Sequence, residues 1–167
     1  TGEMGTTSFW TGENELYRRT LAKMKDRIQG YVGYIDINCI ANARGIFPLE
    51  FTCRFGYPTI NLQIEGALSK WGEFLPALAR GEPSNLRTKR GFQICVVIAV
   101  PPFPFIDPDS FRKFSEEAVV LFKKPMSEGI HPGDVRLVEG DWRLAGNSGY
   151  AVVVTRSASR MDEARRQ

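Results

Sequence analysis

The residues best suited to chemistry lie on two neighbouring segments that are otherwise apolar. The first segment, YVGYIDINCIA, carries Asp36 and Asn38, and the second, IFPLEFTCRF, carries Glu50, Thr52 and Arg54. Residues two apart in a strand share a face, so each segment presents its polar side chains together. A hairpin that pairs the two strands in register would gather four oxygen-bearing side chains on one surface, with the arginine at its end.

Four oxygen donors on one surface suit a hard divalent cation. Mg²⁺ prefers oxygen ligands and commonly joins one or two carboxylates to the phosphates of a substrate. The guanidinium of Arg54 can hold a phosphate or a carboxylate through two hydrogen bonds. The alternative, which the spacing alone favours, is a solvated hairpin face on which Asp36 or Glu50 forms an ion pair with Arg54.

The elements that position these residues follow from apolar periodicity and turn residues. Residues 1–11 predict a loop, and residues 13–30 predict a helix that Asn14 can cap. The hairpin follows, and residues 59–82 predict a helical stretch that one of its glycines interrupts.

The C-terminal half predicts a β-rich region. FQICVVIAV is almost continuously apolar, as expected for a strand with both faces covered. PPFPFIDPDSF predicts a loop stiffened by proline. The segments EAVVLFKKP, DVRLV, DWRLA and GYAVVVT predict short strands between glycine turns, and SASRMDEARRQ begins a helix.

The composition is that of a globular protein. Of 167 residues, 43% are hydrophobic and 25% are charged, which suits one domain or two small ones. The net charge is +3 and the basic clusters RTKR and RR are short, whereas nucleic-acid-binding proteins usually concentrate more positive charge in one patch. We therefore expect no nucleic-acid partner.

The search for targeting signals and the pattern of cysteines both bear on the cellular compartment of the protein. No apolar run approaches the roughly 18 residues of a membrane span, and no signal peptide is recognisable, so we expect no membrane partner. The three cysteines, Cys39, Cys53 and Cys95, form no CxxC pair and have no regular spacing. This pattern indicates reduced thiols in a cytoplasmic protein.

Three stretches resemble a known family of enzymes. They are TGEMG at residues 1–5, GYIDINC at 33–39 and EFTCRFGYPT at 50–59. They are similar to the T-G-G-M-G, G-x-x-Y-A-G and E-F-N-C-R-F-G-D-P-E motifs of the second half of an ATP-grasp ligase of the phosphoribosylamine–glycine ligase (glycinamide ribonucleotide synthetase) type. Weaker likenesses in GIHPGDVRL and GNSGYAVVVT extend the resemblance over most of the chain.

The resemblance implies an α+β fold in two parts. Residues 1–86 correspond to the C-terminal part of an ATP-grasp domain. Residues 87–167 correspond to a small β-rich C-terminal lobe of rudimentary hybrid type. The polar, turn-rich stretch PSNLRTKRG marks the boundary between them.

The resemblance also implies site residues. Glu50 and Thr52 match the Glu and Asn that hold Mg²⁺ in the family, and Arg54 matches the arginine that meets a phosphate or a substrate carboxylate. Asp36 stands where related ligases take a further acid from the preceding strand. Independently of the resemblance, the place of Asp36 and Asn38 on the strand next to Glu50 leads us to expect that Asp36, helped by Asn38, compensates for the neutral Thr52. The residues expected to contact substrate are Thr1, Gly2 and Gly5 of the loop over the reacting groups, together with His131 and Asn147.

The implied function is that of an ATP-dependent carboxylate–amine ligase in purine biosynthesis or a sister reaction. ATP is the substrate, Mg²⁺ or Mn²⁺ is the cofactor, and a small carboxylate and an amine are joined. The family's N-terminal lobes are missing from these 167 residues. We therefore expect a C-terminal fragment that carries the metal-binding wall and is inactive alone, or a chain that meets a partner supplying those lobes.

Several departures from the motifs leave alternatives open. Thr52 replaces Asn, Tyr57 replaces Asp, Thr59 replaces Glu, and Tyr150 replaces the Arg of N-G-G-R, so a sister ligase with another acid or amine is at least as well supported. A ligase-derived binding or assembly module without catalysis is the competing class, and a phosphate- or nucleotide-sugar-binding protein is a third. The alternative interpretation of His131 is an exposed histidine in a turn. The alternative for the segment around Asn147 is a plain hairpin turn without a ligand.

Overall fold

The computed structural model describes residues 4–83, 85–123 and 128–167. Its helices are α1 (Glu15–Arg19), α2 (Thr59–Gly66), α3 (Trp71–Ala79), α4 (Pro108–Phe114) and α5 (Met161–Ala164), and a 3₁₀ turn spans Leu21–Met24. Its strands are β1 (Gly5–Ser8), β2 (Asp36–Asn42), β3 (Gly45–Thr52), β4 (Phe92–Ala99), β5 (Ile130–Pro132), β6 (Val135–Val138), β7 (Asp141–Leu144) and β8 (Tyr150–Ala158). The fold is α+β, as the sequence predicts.

The described chain separates into two compact units. Unit 1 consists of the described parts of Thr1–Ser8, Tyr57–Glu65 and Gly91–Gln167, and unit 2 of those of Phe9–Gly56 and Gly66–Arg90. Each unit is therefore assembled from segments that are distant in the sequence. The boundary between residues 86 and 87 stays a prediction, and the longest segment of unit 1 begins close to it, at Gly91.

Unit 1 is built on a four-stranded antiparallel sheet with the strand order β1-β4-β8-β5. The two apolar strands β4 and β8 occupy its centre, where both edges of each strand are paired. Leu62 of α2 is fully buried against Cys95, Val97 and Val153. A second cluster of buried residues comprises Phe111, Leu144, Ala151 and Val152. The prediction that both faces of β4 are covered is nevertheless wrong, because Val96 and Ile98, which share one face, are about half exposed.

Unit 2 contains the hairpin of β2 and β3. Its register places Asp36 opposite Thr52 and Asn38 opposite Glu50, and a bulge follows directly after Asn38. A helical stretch interrupted by a glycine was predicted for residues 59–82. Its first helix, α2, ends at Gly66, as expected.

Two local predictions fail because tertiary pairing or a side chain overrides local propensity. Residues 5–8, predicted as loop, form β1 because β4 offers their backbone a ladder of hydrogen bonds. The helix predicted over 13–30 ends its α-helical part at Arg19. Asn14 caps it as predicted, but Thr20 leaves helical dihedral angles and its hydroxyl donates to the Leu16 carbonyl at 2.6 Å.

Two further predictions fail in the C-terminal half. The stretch 101–111, predicted as loop, contains the start of α4, since Asp107 accepts hydrogen bonds from the backbone of Asp109 and Ser110 and Pro108 begins the helix. EAVVLFKKP contributes only an isolated bridge at Val119 within its described residues. Among the described residues, no helix has both the length and the apolar character needed to cross a membrane.

Candidate functional site

The oxygen-bearing side chains of the hairpin share one face. Directly opposed residues of an antiparallel pair point to the same side, and so do residues two apart, so the observed register places Asp36, Asn38, Glu50 and Thr52 together. The Asn38 amide donates to the Glu50 carboxylate at 3.1 Å. Asp36 and Thr52 are partly buried, whereas Asn38 and Glu50 are exposed. The structure thus brings the four together, while their role as ligands stays a prediction.

Arg54 lies in the turn that follows β3. Its guanidinium donates to the Phe55 carbonyl at 3.3 Å, and within the described part of the chain no ion pair joins it to Asp36 or Glu50. The ion pair of the alternative interpretation therefore does not form among the described residues, whereas the exposed Asn38 and Glu50 agree with its solvated face. The Phe55 ring anchors this turn, since it packs against Tyr34 at 4.3 Å and against Trp71 at 5.6 Å between ring centroids.

The oxygen atoms of the hairpin face suit a hard divalent cation that takes only a few of its ligands from the protein. Within residues 4–83, 85–123 and 128–167 no three His, Cys, Asp or Glu side chains form a metal-binding group. Mg²⁺ does not need such a group, because it usually keeps several waters and takes one or two carboxylates plus substrate phosphates. Since the Asn38 amide nitrogen is bound to Glu50, its Oδ1 is the oxygen that can face a cation.

The residues predicted to contact substrate do not gather at one point of unit 1. Gly5 begins the edge strand β1, and His131 lies on the opposite edge strand β5. Two strands separate them, which is roughly 14 Å at the usual strand spacing. Asn147 is exposed in the turn before β8, next to Ser148, whose hydroxyl donates to Asp134. Thr1 and Gly2 lie outside the described residues.

Unit 1 holds a polar network that the sequence analysis missed. The Glu65 carboxylate of α2 accepts hydrogen bonds from Thr155 at 3.1 Å and from Ser157 at 2.7 Å, both on β8. His131 Nε2 lies 3.0 Å from the same Thr155 hydroxyl. Thr155 is fully buried, so the network is part of the packed interior. We name His131, Thr155, Glu65 and Ser157 the β8 network.

A signal for this network does exist in the sequence. Glu65 follows the buried Leu62 by three residues, so both lie on one face of α2, the face that packs on the sheet. Thr155 is a polar residue at an inward position of an apolar strand, and Gln93, on the neighbouring strand β4, is likewise fully buried. Gln93 and Thr155 together make this sheet face unusually polar. The amide nitrogen of Gln93 has no hydrogen-bond partner among the described residues.

Burial lowers the pKa of His131, and the negative charge of Glu65 partly opposes this. The folded chain therefore binds the imidazole proton less readily than the unfolded chain does. We expect stability to be greatest above the unfolded histidine pKa of about 6.5 and to fall as the pH drops through it, until it levels off below the lowered folded value.

Urea unfolding across roughly pH 5 to 8 measures this slope. The matched variant is His131→Gln, because a glutamine amide can still donate to Thr155 but does not titrate. The difference in slope between the two proteins isolates His131 from the carboxylates. Identical slopes would contradict the prediction.

Comparisons with known proteins can now be set beside this geometry. No protein-family model matches the chain. The chain is 27% identical over 117 residues to the phosphoribosylamine–glycine ligase of Mycobacterium tuberculosis, a match that covers 62% of this chain and 28% of that protein. The chain thus spans less than a third of the length of this curated relative.

Solved structures match over nearly the whole chain. The phosphoribosylamine–glycine ligase of Thermotoga maritima superposes with a TM-score of 0.67 at 20% identity, over 99% of this chain and 41% of that one. The biotin carboxylase domain of Hydrogenobacter thermophilus 2-oxoglutarate carboxylase, solved with MgADP, ADP and bicarbonate, gives 0.61 at 16% identity, over 96% and 37%. The chain therefore has the fold of part of each of these two proteins, in agreement with the fold that its motifs imply.

Proposed function

We propose that the chain is part of an ATP-dependent carboxylate–amine ligase, of the phosphoribosylamine–glycine ligase type in purine biosynthesis or catalysing a sister reaction. The observation that carries this proposal is the hairpin register, which sets Asp36 beside Thr52 and Asn38 beside Glu50 on one face. Its support is that the fold is shared with a ligase of this type and with a carboxylase domain that was solved with MgADP.

In the proposed reaction a carboxylate oxygen attacks the γ-phosphorus of ATP, and ADP leaves. An amine nitrogen then attacks the acyl carbon of the acyl phosphate, phosphate leaves with the bonding electrons, and the nitrogen loses a proton. Asp36, Glu50, Asn38 and Thr52 would hold Mg²⁺ or Mn²⁺, which neutralises phosphate charge when bound. Arg54 would stabilise the negative charge of the transferring phosphoryl group or hold the substrate carboxylate.

The remaining parts of the site belong to the same proposal. The relatives are longer than this chain, and we propose that N-terminal lobes equivalent to theirs complete the ATP site. Gly5, Asn147 and the TGEMG loop would meet substrate. We further propose a cytoplasmic protein without nucleic-acid or membrane partners, on the basis of the composition and charge discussed above.

The motif departures bear on the substrate. Tyr57 and Tyr150 replace charged residues of the motifs, and their rings pack against each other at 5.1 Å, with Phe103 at 4.9 Å from Tyr150. An aromatic cluster supplies no cation for a phosphate group, so we propose that the acid or amine differs from those of phosphoribosylamine–glycine ligase. Which acid and amine react is the question for a substrate screen.

The test is ADP formation by the intact protein, with all lobes present, in Mg²⁺. Amino acids, other small carboxylates and amines are screened in pairs, with glycine and phosphoribosylamine included. The expected result is ADP formation that requires both an acid and an amine. ATP binding without ADP formation across the screen would instead favour a binding or assembly module that has lost catalysis.

A further inference from the structure

A cavity of about 470 Å³ lies between α5 and the face of the unit 1 sheet that points away from α2. Leu62 of α2 packs against Cys95, Val97 and Val153, so the residues next to these in each strand point to the opposite side. All the described lining residues of the cavity belong to unit 1. The cavity is therefore formed within one compact unit.

The floor of the cavity is a row of residues across three strands. Gly5 of β1, Val96 of β4 and Val154 of β8 stand opposite one another and share one face. Val96 is 49% exposed, so much of this apolar floor is open. The nearest atom that a Cβ on Gly5 would meet is the Cys95 carbonyl oxygen, at 3.7 Å, so the absent side chain leaves room. The floor is thus an apolar surface three strands wide, roughly 10 Å.

Aliphatic side chains also form the other walls. Ile94 lies two residues before Val96 on the same face, and Met161 and Ala164 of α5 line the side opposite the floor. No aromatic residue is among the described lining residues, so the cavity offers no surface on which a base or an aromatic ring could stack. The walls suit a flexible aliphatic chain, because its burial is favourable without directional contacts.

The charge of the cavity is positive. Arg156 and Arg165 line it, and no acidic residue is among its described lining residues. Nη1 of Arg156 donates to the backbone carbonyls of Glu128 at 2.7 Å and Thr155 at 3.0 Å, which orients the guanidinium. Carbonyl groups carry no net charge, so Arg156 keeps its positive charge for a ligand.

Arg165 has no ion pair with a described residue, although two acids precede it closely in the sequence. Asp162 pairs with Arg160 at 3.0 Å and with Arg166 at 3.3 Å. Glu163 accepts a hydrogen bond from a serine hydroxyl at 3.0 Å. Because the acids of α5 are engaged with other groups, the charge of Arg165 is also open to an anion.

We propose that this cavity binds a fatty acid of medium chain length, with its carboxylate at Arg156 and Arg165 and its chain on the floor. A guanidinium donates paired hydrogen bonds to a carboxylate, which fixes the charged end. The chain covers apolar surface that is otherwise open to water. Neither contact requires ATP, an amine or turnover, so the inference does not depend on the proposed ligase function.

Calorimetric titration of the intact protein with octanoate tests both parts of the ligand. 1-Octanol has the same chain without the charge, and acetate has the charge without the chain. We expect octanoate to bind with a Kd below roughly 1 mM, and the other two at least about 5-fold more weakly. No binding of octanoate, or equal Kd values for octanoate and either comparison ligand, would overturn the proposal.

Substitution of Arg165 tests the charged end. Arg165→Gln should weaken octanoate binding by roughly 5- to 10-fold and leave 1-octanol binding unchanged, because only the ion pair is lost. Arg112→Gln is the matched control, since Arg112 is an exposed arginine of α4 in the same unit. An equal effect of the two substitutions on the Kd of octanoate would overturn the role of the cavity.

Substitution of Val96 tests the floor. Val96→Trp should fill the cavity and prevent octanoate binding, with little change in the urea midpoint, because Val96 is half exposed. Val119→Trp is the matched control, another half-exposed valine of unit 1 that is not among the lining residues. Unaltered octanoate binding in Val96→Trp would overturn the proposal. A large loss of stability in Val96→Trp alone would also do so, because it would show that another part of the protein already covers the floor.

Discussion

Replacing Glu50 by glutamine is expected to weaken Mg²⁺-dependent ATP turnover of the intact protein more than any other exposed substitution. Glutamine keeps the shape and the contact with Asn38 but removes the charge that a divalent cation needs. Groups that merely support metal ligands cost about 10- to 100-fold when lost, so a ligand itself should cost at least about 10-fold. The measurements are the Mg²⁺ dependence of ADP formation and Mn²⁺ binding followed by electron paramagnetic resonance.

The same experiment tests whether Asp36 compensates for the neutral Thr52. Asp36→Ala should also weaken Mn²⁺ binding, because Asp36 stands directly opposite Thr52. Asp26→Ala and Glu73→Gln are matched controls, since both residues are exposed acids of unit 2 outside the hairpin face. Unchanged affinity in Asp36→Ala would remove Asp36 from the site, and unchanged affinity in Glu50→Gln would remove the metal site from the hairpin.

Replacing Leu62 by alanine is expected to be the most destabilising of the single truncations considered. Leu62 is fully buried, and its side chain fills the space between α2 and the residues Cys95, Val97 and Val153. Truncation of a leucine in such a place costs about 2–5 kcal/mol of unfolding free energy, as the sum of lost transfer energy and a cavity. Urea unfolding monitored by circular dichroism measures the loss.

Leu121→Ala is the matched control for this prediction. Leu121 belongs to the same unit, but 84% of its surface is exposed, so the same truncation should change stability by no more than about 0.5 kcal/mol. Equal effects of the two substitutions would show that α2 does not depend on Leu62 for its place on the sheet.

The hairpin could be read from the sequence because strand periodicity fixes faces. A spacing of two residues predicts which side chains share a face within β2 and within β3. The pairing of Asn38 with Glu50 was not predictable in this way, because it depends on the bulge after Asn38; the register set by the turn would otherwise place Asn38 opposite Leu49. Motif likeness supplied the fold, because EFTCRFG is a long and specific stretch. Local patterns could not predict that Gly5 and His131 lie on opposite edges of the sheet, because the strand order depends on pairings between distant segments.

The β8 network was missed for the same physical reason. Its hydrogen bonds join Glu65 to residues about ninety positions later, and a local pattern gives only the inward face of each element. The strand β1 was missed because it has only four residues, GTTS, in a stretch rich in glycine and threonine, and its pairing with the distant β4 decides its conformation. In each case non-local pairing decided the outcome.

The interleaving of the two units sets an order of events during synthesis. All segments of unit 2 have left the ribosome's decoding centre once Arg90 is added, whereas unit 1 still lacks Gly91–Gln167. The N-terminal strand must then remain unpaired until β4 and β8 are made, and closing so long a loop slows folding. Between the synthesis of β1 and that of β4, the nascent chain therefore carries an unpaired strand, and unpaired strand edges make incompletely folded chains prone to aggregation.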